Sequence, residues 1–154
     1  MPPAPDPQQR AYARFVVAHA LVTERIEAAL AAAGLPSLDW YDVLWVLESS
    51  PEPRLRMADL ARRAVYSRSN LTRLADRMEK ASLLERGDCP EDGRGTVCAI
   101  TAKGCALRAR MWTVYRRQIE SLFGRHLSAR EAESMAGALD RIISPLKQNE
   151  KETA

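Results

Sequence analysis

Apolar residues recur every three or four positions along most of the chain, which is the period of an amphipathic α-helix. A first long stretch of this kind runs from Gln8 to Ala33 and ends at Gly34. A second begins after Ser37, a residue type that caps helices, and ends at the turn-rich residues 49–53. The pattern therefore predicts one long and one short helix in the first third of the chain.

Two further helical patterns follow, separated by a short turn. Residues 57–64 predict a helix of two turns, and residues 68–81 predict a longer helix that buries Leu71, Leu74 and Met78. Ser67 stands at the N-cap position of this longer helix. Two helices joined by three residues predict a helix-turn-helix.

Residues 83–86 and 96–100 have the apolar and β-branched composition of strands. The linking segment 88–95 contains Pro90, Gly93 and Gly95, which favour a hairpin loop. The pattern predicts a β-hairpin, or wing, directly after the helix-turn-helix.

Two more helices are predicted after the hairpin. Thr101 caps the first, and Ser128 with Glu131 forms a capping box at the start of the second. Pro145 is expected to bend or fray the last helix because it has no backbone N–H. The fold class is thus mainly α with a small β-hairpin wing (α+β), a winged helix-turn-helix.

Composition limits the function classes. The chain has 154 residues, 46% hydrophobic and 28% charged, and no apolar run approaches the roughly 20 residues needed to span a bilayer. The first ten residues hold four prolines and lack the pattern of a secretory signal, so we expect a disordered lead-in and a cytoplasmic protein. Three cysteines without a C-x-x-C pair, and two histidines, predict no metal and no cofactor.

Positive charge is concentrated after residue 53. Residues 1–53 carry 3 basic and 7 acidic side chains, residues 54–104 carry 11 and 7, and residues 105–154 carry 9 and 6. A basic middle segment that holds a helix-turn-helix is typical of a protein that binds a polyanion.

The outward face of helix 68–81 is rich in side chains that read DNA. Arginine can bind guanine, asparagine can bind adenine, and serine or threonine can bind a base edge or a phosphate. The candidate DNA-binding residues are Arg68, Ser69, Asn70, Thr72, Arg73 and Arg77, together with Arg94 on the wing, which can reach the minor groove. The alternative is a solvated helix face, stabilised by pairs such as Asp76 with Lys80.

Residues 67–104 resemble the MarR family of bacterial transcription regulators. The matching segments are Leu71-Thr72-Arg73-Leu74, Asp76-Arg77 with Glu79-Lys80, Asp92-Gly93-Arg94, and Thr101-Ala102-Lys103-Gly104. The order of the remaining helices also agrees over about residues 10–146. Cys89 and Gly93 depart from the family's pattern and leave this wing less basic.

The resemblance implies a homodimer that binds palindromic double-stranded DNA, with repression relieved by a small molecule. It assigns a dimerisation helix (10–36), a DNA-binding lobe (37–100) and C-terminal dimerisation helices (101–147), between the lead-in (1–9) and a disordered tail (148–154) that the residues themselves predict. It also places Ser69, Asn70, Thr72 and Arg73 at base-contacting positions and Asp92 and Arg94 at the wing's acid and arginine.

Aromatic residues lie on helices that the layout of the resembled family brings close together, which suggests a crevice for a small aromatic ligand. The candidate pocket residues are Tyr12, His19, Trp40, Asp42 and Trp112. The alternative is that these side chains serve only core and dimer packing.

Two other functions remain open from the sequence. Cys89, expected on an exposed loop near Arg86 and Arg94, could act as an oxidation sensor or be a tolerated surface residue. A winged helix can also serve only protein contacts, without sequence-specific DNA binding. An enzyme is not expected, because no nucleophile, base or metal set is visible.

Overall fold

A computed structural model describes residues 6–89 and 95–152 of the chain. Within these ranges, the chain forms six α-helices, one 3₁₀ turn and three β-strands. In chain order they are α1 (Pro7–Ala32), α2 (Leu38–Ser49), β1 (Leu55–Arg56), α3 (Met57–Ala64), α4 (Arg68–Lys80), β2 (Leu84–Asp88), β3 (Thr96–Ile100), α5 (Ala102–Leu122), the 3₁₀ turn Gly124–His126, and α6 (Ala129–Glu152).

The strands form one antiparallel sheet in the order β1-β3-β2. The hairpin of β2 and β3 pairs Leu84 with Ile100 at one end and Asp88 with Thr96 at the other. The predicted fold class, mainly helical with a small hairpin wing, is confirmed. The sequence did not predict β1, because a two-residue strand shows no alternation and exists only through its pairing with β3.

The core of the central lobe lies where α2, α3 and α4 pack against the sheet. Helical spacing alone places its apolar positions on the inner faces, and β3 contributes Cys98 to this core. The fully buried members are Val43, Leu44, Leu55, Leu60, Leu71, Ala75, Met78, Leu84 and Cys98.

The start of α5 is fixed to this lobe by the residues of the Thr101-Ala102-Lys103-Gly104 motif. The Thr101 hydroxyl accepts a hydrogen bond from the Gly104 amide at 3.0 Å, which confirms the predicted cap. The Lys103 Nζ donates to the Ala81 carbonyl at 2.8 Å. A Cβ at position 104 would collide with the Leu83 carbonyl oxygen, so only glycine allows this close approach.

A second, smaller core joins α1 and α5 to the start of α2. Its buried members are Ile26, Leu30, Tyr41 and Met111. The Leu38 amide donates to Glu27 Oε1 at 2.9 Å, which ties the start of α2 to α1.

Large apolar side chains remain exposed on the N-terminal half of α1 and the C-terminal half of α6 in this single chain. They are Tyr12, Phe15, Val16, Val17, Leu21, Ile142, Ile143 and Leu146. Exposed apolar surface of this extent is typical of an interaction face. No helix in the described part of the chain is both long and apolar enough to cross a membrane.

The two chain ends differ from the prediction. Helix α1 begins at Pro7, inside the expected lead-in 1–9, because proline fits the first helical position, where its missing N–H is not needed. Helix α6 passes Pro145 and continues to Glu152, inside the expected disordered tail 148–154. The Lys, Gln and Glu residues that follow Pro145 favour a helix. The helix therefore continues although Pro145 cannot donate one backbone hydrogen bond.

Candidate nucleic-acid interface

The turn between α3 and α4 determines where α4 begins. Val65 adopts φ 61°, in the left-handed region, which ends α3 sharply. The Tyr66 amide then donates back to the Ala61 carbonyl at 2.9 Å. Ser67 accepts a hydrogen bond from the Asn70 amide at 3.3 Å, so the N-cap predicted from the sequence is confirmed.

Helix α4 buries one face and presents the other to solvent. Leu71, Leu74, Ala75 and Met78 are buried in the lobe core. All six α4 residues that the sequence assigned to DNA binding lie on the exposed side: Arg68, Ser69, Asn70, Thr72, Arg73 and Arg77. The structure therefore brings these side chains together on one surface, which we call the reading face.

The three arginines of the reading face differ in their surroundings. Arg77 Nη2 lies 3.6 Å from Asp39 Oδ2, and its guanidinium lies 5.9 Å from the centre of the Trp40 ring, so α2 holds it. In the described part of the chain, Arg68 and Arg73 have no ion pair. These two cations are available to an external anion.

Thr72 has a restricted hydrogen-bonding role. Its hydroxyl donates to the Arg68 carbonyl at 2.8 Å, one turn earlier in α4. With its proton used in this way, the hydroxyl oxygen can only accept from a second partner, and the methyl group is left for apolar contact. Both properties suit contact with base edges in a groove.

Two clefts flank α4. One, of about 250 Å³, is lined by Asp39, Tyr66, Asn70, Arg73, Leu74 and Arg77. The other, of about 290 Å³, lies between α4 and the sheet and is lined by Arg56, Met57, Ala58, Arg68, Thr72, Gly95 and Thr96. Arg56 was missed by the sequence analysis. The concentration of positive charge after residue 53 indicated that basic residues of this segment could bind DNA. It could not place Arg56 at this cleft, because that position depends on β1, which the sequence did not predict.

Ion pairs connect strand β2 of the wing to α4. Arg86 on β2 forms ion pairs with Asp76 Oδ1 at 2.7 Å and with Glu79 Oε2 at 2.5 Å. The hydrogen bonds from Arg86 hold the pKa of Glu79 below its ordinary value. Asp76 thus pairs with Arg86, not with Lys80 as the alternative interpretation of this helix supposed. Asp92 and Arg94, assigned to the wing from the sequence, lie outside the described residues.

The predicted exposure of Cys89 is wrong, since its side chain is only 4% exposed. Its amide donates to the Gly95 carbonyl at 3.2 Å, so hairpin pairing continues one residue beyond β2 and places Cys89 at the end of the sheet. Cys98 is also buried, its thiol donates to Met57 Sδ at 3.1 Å, and burial raises its pKa to about 11. This environment removes the observation on which the redox alternative depended.

The structure contains a solvent-open cavity of about 410 Å³ lined mainly by residues of α1, α2, α5 and α6. Of the five predicted pocket residues, His19 and Asp42 line it. Tyr12, Trp40 and Trp112 do not: Tyr12 is 70% exposed, Trp40 packs under Arg77, and Trp112 stacks on Tyr41 at 6.1 Å. Aromatic content predicted that a crevice exists, but not which aromatic side chains face it.

The lining of this cavity is mainly apolar. The residues that the sequence analysis did not assign to it are Phe15, Ala18, Val22, Thr23, Ile26, Leu38, Tyr115, Ile119, Phe123, Met135 and Leu139. Their helical periodicity marked several of them as buried, but could not distinguish a cavity wall from a filled core.

Asp42 connects the cavity to the helix-turn-helix. The Tyr66 hydroxyl donates to Asp42 Oδ2 at 3.4 Å. Burial raises the pKa of Asp42, and the nearby Asp39 and Glu27 carboxylates raise it further, while the bond from Tyr66 lowers it. Tyr66 itself lines the cleft beside Asn70 and Arg73. One hydrogen bond therefore joins a cavity wall to the turn that precedes the reading face.

Comparison with known proteins gives consistent results. A family model described as "MarR family" matches residues 33–95. The repressor IacR of Pseudomonas putida is 30% identical over 105 residues, which cover 68% of this chain and 61% of IacR. The regulator PapX of Escherichia coli is 27% identical over 83 residues, 54% of this chain and 51% of PapX. The chain thus spans about three fifths of one curated relative and half of the other.

Solved structures match over nearly the full chain. AbsC, a MarR family transcriptional regulator from Streptomyces coelicolor, has a TM-score of 0.79 and 26% identity, with 99% of both chains covered. Sco3205 from the same organism, solved in complex with DNA, has a TM-score of 0.83 and 24% identity, with 93% of both chains covered.

Proposed function

Because this chain belongs to the MarR family, we propose that it is a sequence-specific, DNA-binding transcription regulator without catalytic activity, acting in the cytoplasm as a homodimer. The observation that carries the proposal is the reading face of α4. It combines two arginines available to an anion, an exposed asparagine and two hydroxyl side chains on one helix whose start is fixed by Ser67. This set of donors and acceptors suits the edges of bases in a major groove.

The roles of individual residues follow from their positions. Arg73, at the middle of the reading face, would bind a guanine edge, and Asn70, one turn earlier, would bind an adenine. Arg68 and Arg56, at the cleft between α4 and the sheet, would bind backbone phosphates. Arg94 would extend the contact into the adjacent minor groove from the wing, and Asp92 would help to structure that wing.

The dimer would be formed by the exposed apolar faces of α1 and α6. The pattern on α6 places Ile142, Ile143 and Leu146 on neighbouring positions of one face, and α1 exposes Phe15 and Val16. Two copies would place two α4 helices in successive major grooves, about 10 base pairs apart, which requires a palindromic site.

Repression released by a ligand is the form of regulation that we propose. A ligand in the cavity between the outer helices and the lobe would favour one spacing of the two reading helices and so change DNA affinity, by no more than its preference between the two states. The name of IacR, a transcriptional repressor, agrees with this direction of control.

The proposal is tested by DNA binding as a function of salt. Fluorescence anisotropy would compare wild-type protein with Arg73→Ala and Arg68→Ala on a duplex selected by the wild-type protein from a random library and on one of scrambled sequence. We expect Arg73→Ala to reduce the preference for the specific duplex by about 1 to 3 kcal/mol, and Arg68→Ala to weaken binding to both duplexes and reduce the salt slope by about 1. A winged helix used only for protein contacts would bind neither duplex, and that result would reject the proposal.

A further inference from the structure

The cleft of about 290 Å³ between α4 and the sheet adjoins the reading face, with which it shares Arg68 and Thr72. Met57 and Ala58, the first two residues of α3, give the cleft an apolar side. Among the described residues that line it, the charged ones are Arg56 and Arg68, both cationic. The wing completes the lining with Gly95 and Thr96. Apolar surface and positive charge therefore lie together beside the face that we assign to DNA binding.

The apolar side of this cleft is held by the lobe core. The Cys98 thiol donates to Met57 Sδ at 3.1 Å, and Cys98 is fully buried. Met57 is itself half-buried, whereas Ala58, at the next position along α3, is exposed. Water beside these groups finds few hydrogen-bond partners, so an apolar group that displaces this water gains affinity. The cleft is therefore suited to an apolar group of a DNA partner.

Thr72 contributes a methyl group at the same cleft. Because its hydroxyl donates to the Arg68 carbonyl at 2.8 Å, that proton is not available to an acceptor such as O4 of thymine or N7 of a purine. Thr72 is exposed, so its methyl group is accessible to a base in the groove. Contact between a threonine methyl group and the methyl group of thymine is one of the ways in which proteins read the major groove.

We propose that Thr72 selects a thymine in each half-site, and that the 5-methyl group of this thymine enters the cleft beside Met57 and Ala58. Thymine is the one standard DNA base that presents a methyl group in the major groove. The cleft volume lies just below the roughly 300 Å³ at which pockets for whole small molecules begin, so it suits one edge of a base that other DNA contacts hold in place. Arg68, at the same cleft, would hold a neighbouring phosphate. The inference rests on the proposed function and deepens it, because it names one base and the residue that reads it.

Replacement of thymine by uracil tests the methyl group alone, because uracil keeps every hydrogen-bonding group of thymine. The duplex is one that the wild-type protein selects from a random library, and each thymine is replaced in turn at the equivalent position of both half-sites. Fluorescence anisotropy with the full chain gives the affinities. We expect at least one position at which uracil lowers the affinity by about fourfold for each half-site, the value of one buried methyl group. If no thymine is sensitive to this change, the proposal is overturned.

Two variants test whether Thr72 is the residue responsible. Thr72→Ser keeps the hydroxyl and removes the methyl group, so it should bind the thymine duplex about fourfold less tightly for each half-site and no longer distinguish thymine from uracil at that position. Thr72→Val keeps a methyl group in place and removes the hydroxyl, so it should retain the preference for thymine. The reverse pattern would mean that the hydroxyl oxygen accepts from an adenine or cytosine amino group, and it would overturn the proposal.

Thr113→Ser on α5 is the matched control. Thr113 is exposed, and its hydroxyl donates to the Ala109 carbonyl at 3.2 Å, as that of Thr72 does to Arg68. This variant should bind both duplexes as the wild type does, and a comparable loss would show that the effect comes from the helix and not from DNA contact. The inference and the proposed function fail separately. If the wild-type protein selects no sequence, the regulator function is rejected, whereas a selected sequence on which Thr72→Ser keeps the full preference for thymine rejects only the role of Thr72.

Discussion

The guanidinium of Arg77 lies 3.6 Å from the carboxylate of Asp39, across the gap between α4 and the start of α2. Arg77 is part of the reading face and also contacts α2. Its guanidinium lies over the Trp40 ring. Ser37, at the N-cap of α2, donates its hydroxyl to Asp39 and does not cap a backbone amide as expected. Asp39 therefore organises both the start of α2 and one cation of the DNA-binding surface.

Asp39→Asn should increase DNA affinity. The change removes an anion that competes with phosphate for Arg77, while the amide oxygen can still accept from the Trp40 amide as Asp39 Oδ1 does at 3.0 Å. Because an exposed pair of this kind is worth about 1 kcal/mol or less, we expect a gain of up to about fivefold. Fluorescence anisotropy at two salt concentrations measures it. A decrease in affinity would mean that the ion pair positions Arg77 for DNA.

Arg73→Ala should reduce specific DNA binding by about 1 to 3 kcal/mol, the value of a bidentate contact to guanine. Binding to random duplex should fall much less. Arg110→Ala, which removes the same charge from an exposed position on α5, is the matched control and should have a small effect on both. Equal losses on specific and random DNA would make Arg73 a phosphate contact.

Gly104→Ala should destabilise the fold, although alanine is ordinarily the better helix former. The new methyl group would collide with the Leu83 carbonyl oxygen and crowd Ile100 and Leu44, and overpacking of this kind costs about 1 to 3 kcal/mol. Gly137→Ala on α6 is the control, because its methyl group would meet only Arg141 at 3.8 Å. That variant should gain up to about 1 kcal/mol. Urea unfolding of both variants provides the measurement, and a stabilised Gly104→Ala would refute the close approach.

Asp42→Asn should flatten the pH dependence of stability. The pKa of Asp42 is raised above 3.8 in the folded chain by burial and by the facing Asp39 and Glu27, so the folded state binds this proton more tightly than the unfolded state does. Wild-type stability is therefore lost as the pH rises from 3.8 through the raised pKa. Asp42→Asn has no carboxyl group to titrate at this position. Its free energy of unfolding should therefore rise relative to that of the wild type as the pH increases through this range. Urea midpoints measured from about pH 4 to pH 7 test it; parallel curves would show that Asp42 titrates normally.

Short-range rules explain what the sequence predicted well. Residues 57–64 were predicted as a helix with the bounds that α3 has in the structure. The caps at Ser67 and Thr101 were also predicted, and the capping box was confirmed by the Ser128 amide, which donates to Glu131 Oε2 at 2.8 Å. Each of these features depends on residues at most four positions apart.

Features that depend on distant pairings were missed. The strand that carries Arg56 exists only because β3 lies beside it, and Cys89 is placed at the end of the sheet by the hydrogen bond from its amide to the Gly95 carbonyl across the hairpin. Of the predicted pocket residues, only His19 and Asp42 face the cavity, because the packing of α1 against α5 and α6 decides which helix side encloses it. Local periodicity holds no information on such arrangements.

The central claim, that α4 reads a specific DNA sequence, is tested most directly by selection from a random duplex library. The purified protein would be incubated with the library at near-physiological salt, and the bound duplexes sequenced. We predict an enriched palindrome whose half-sites lie about 10 base pairs apart, and loss of that enrichment in Arg73→Ala. Weak, salt-sensitive binding without an enriched sequence would contradict the account.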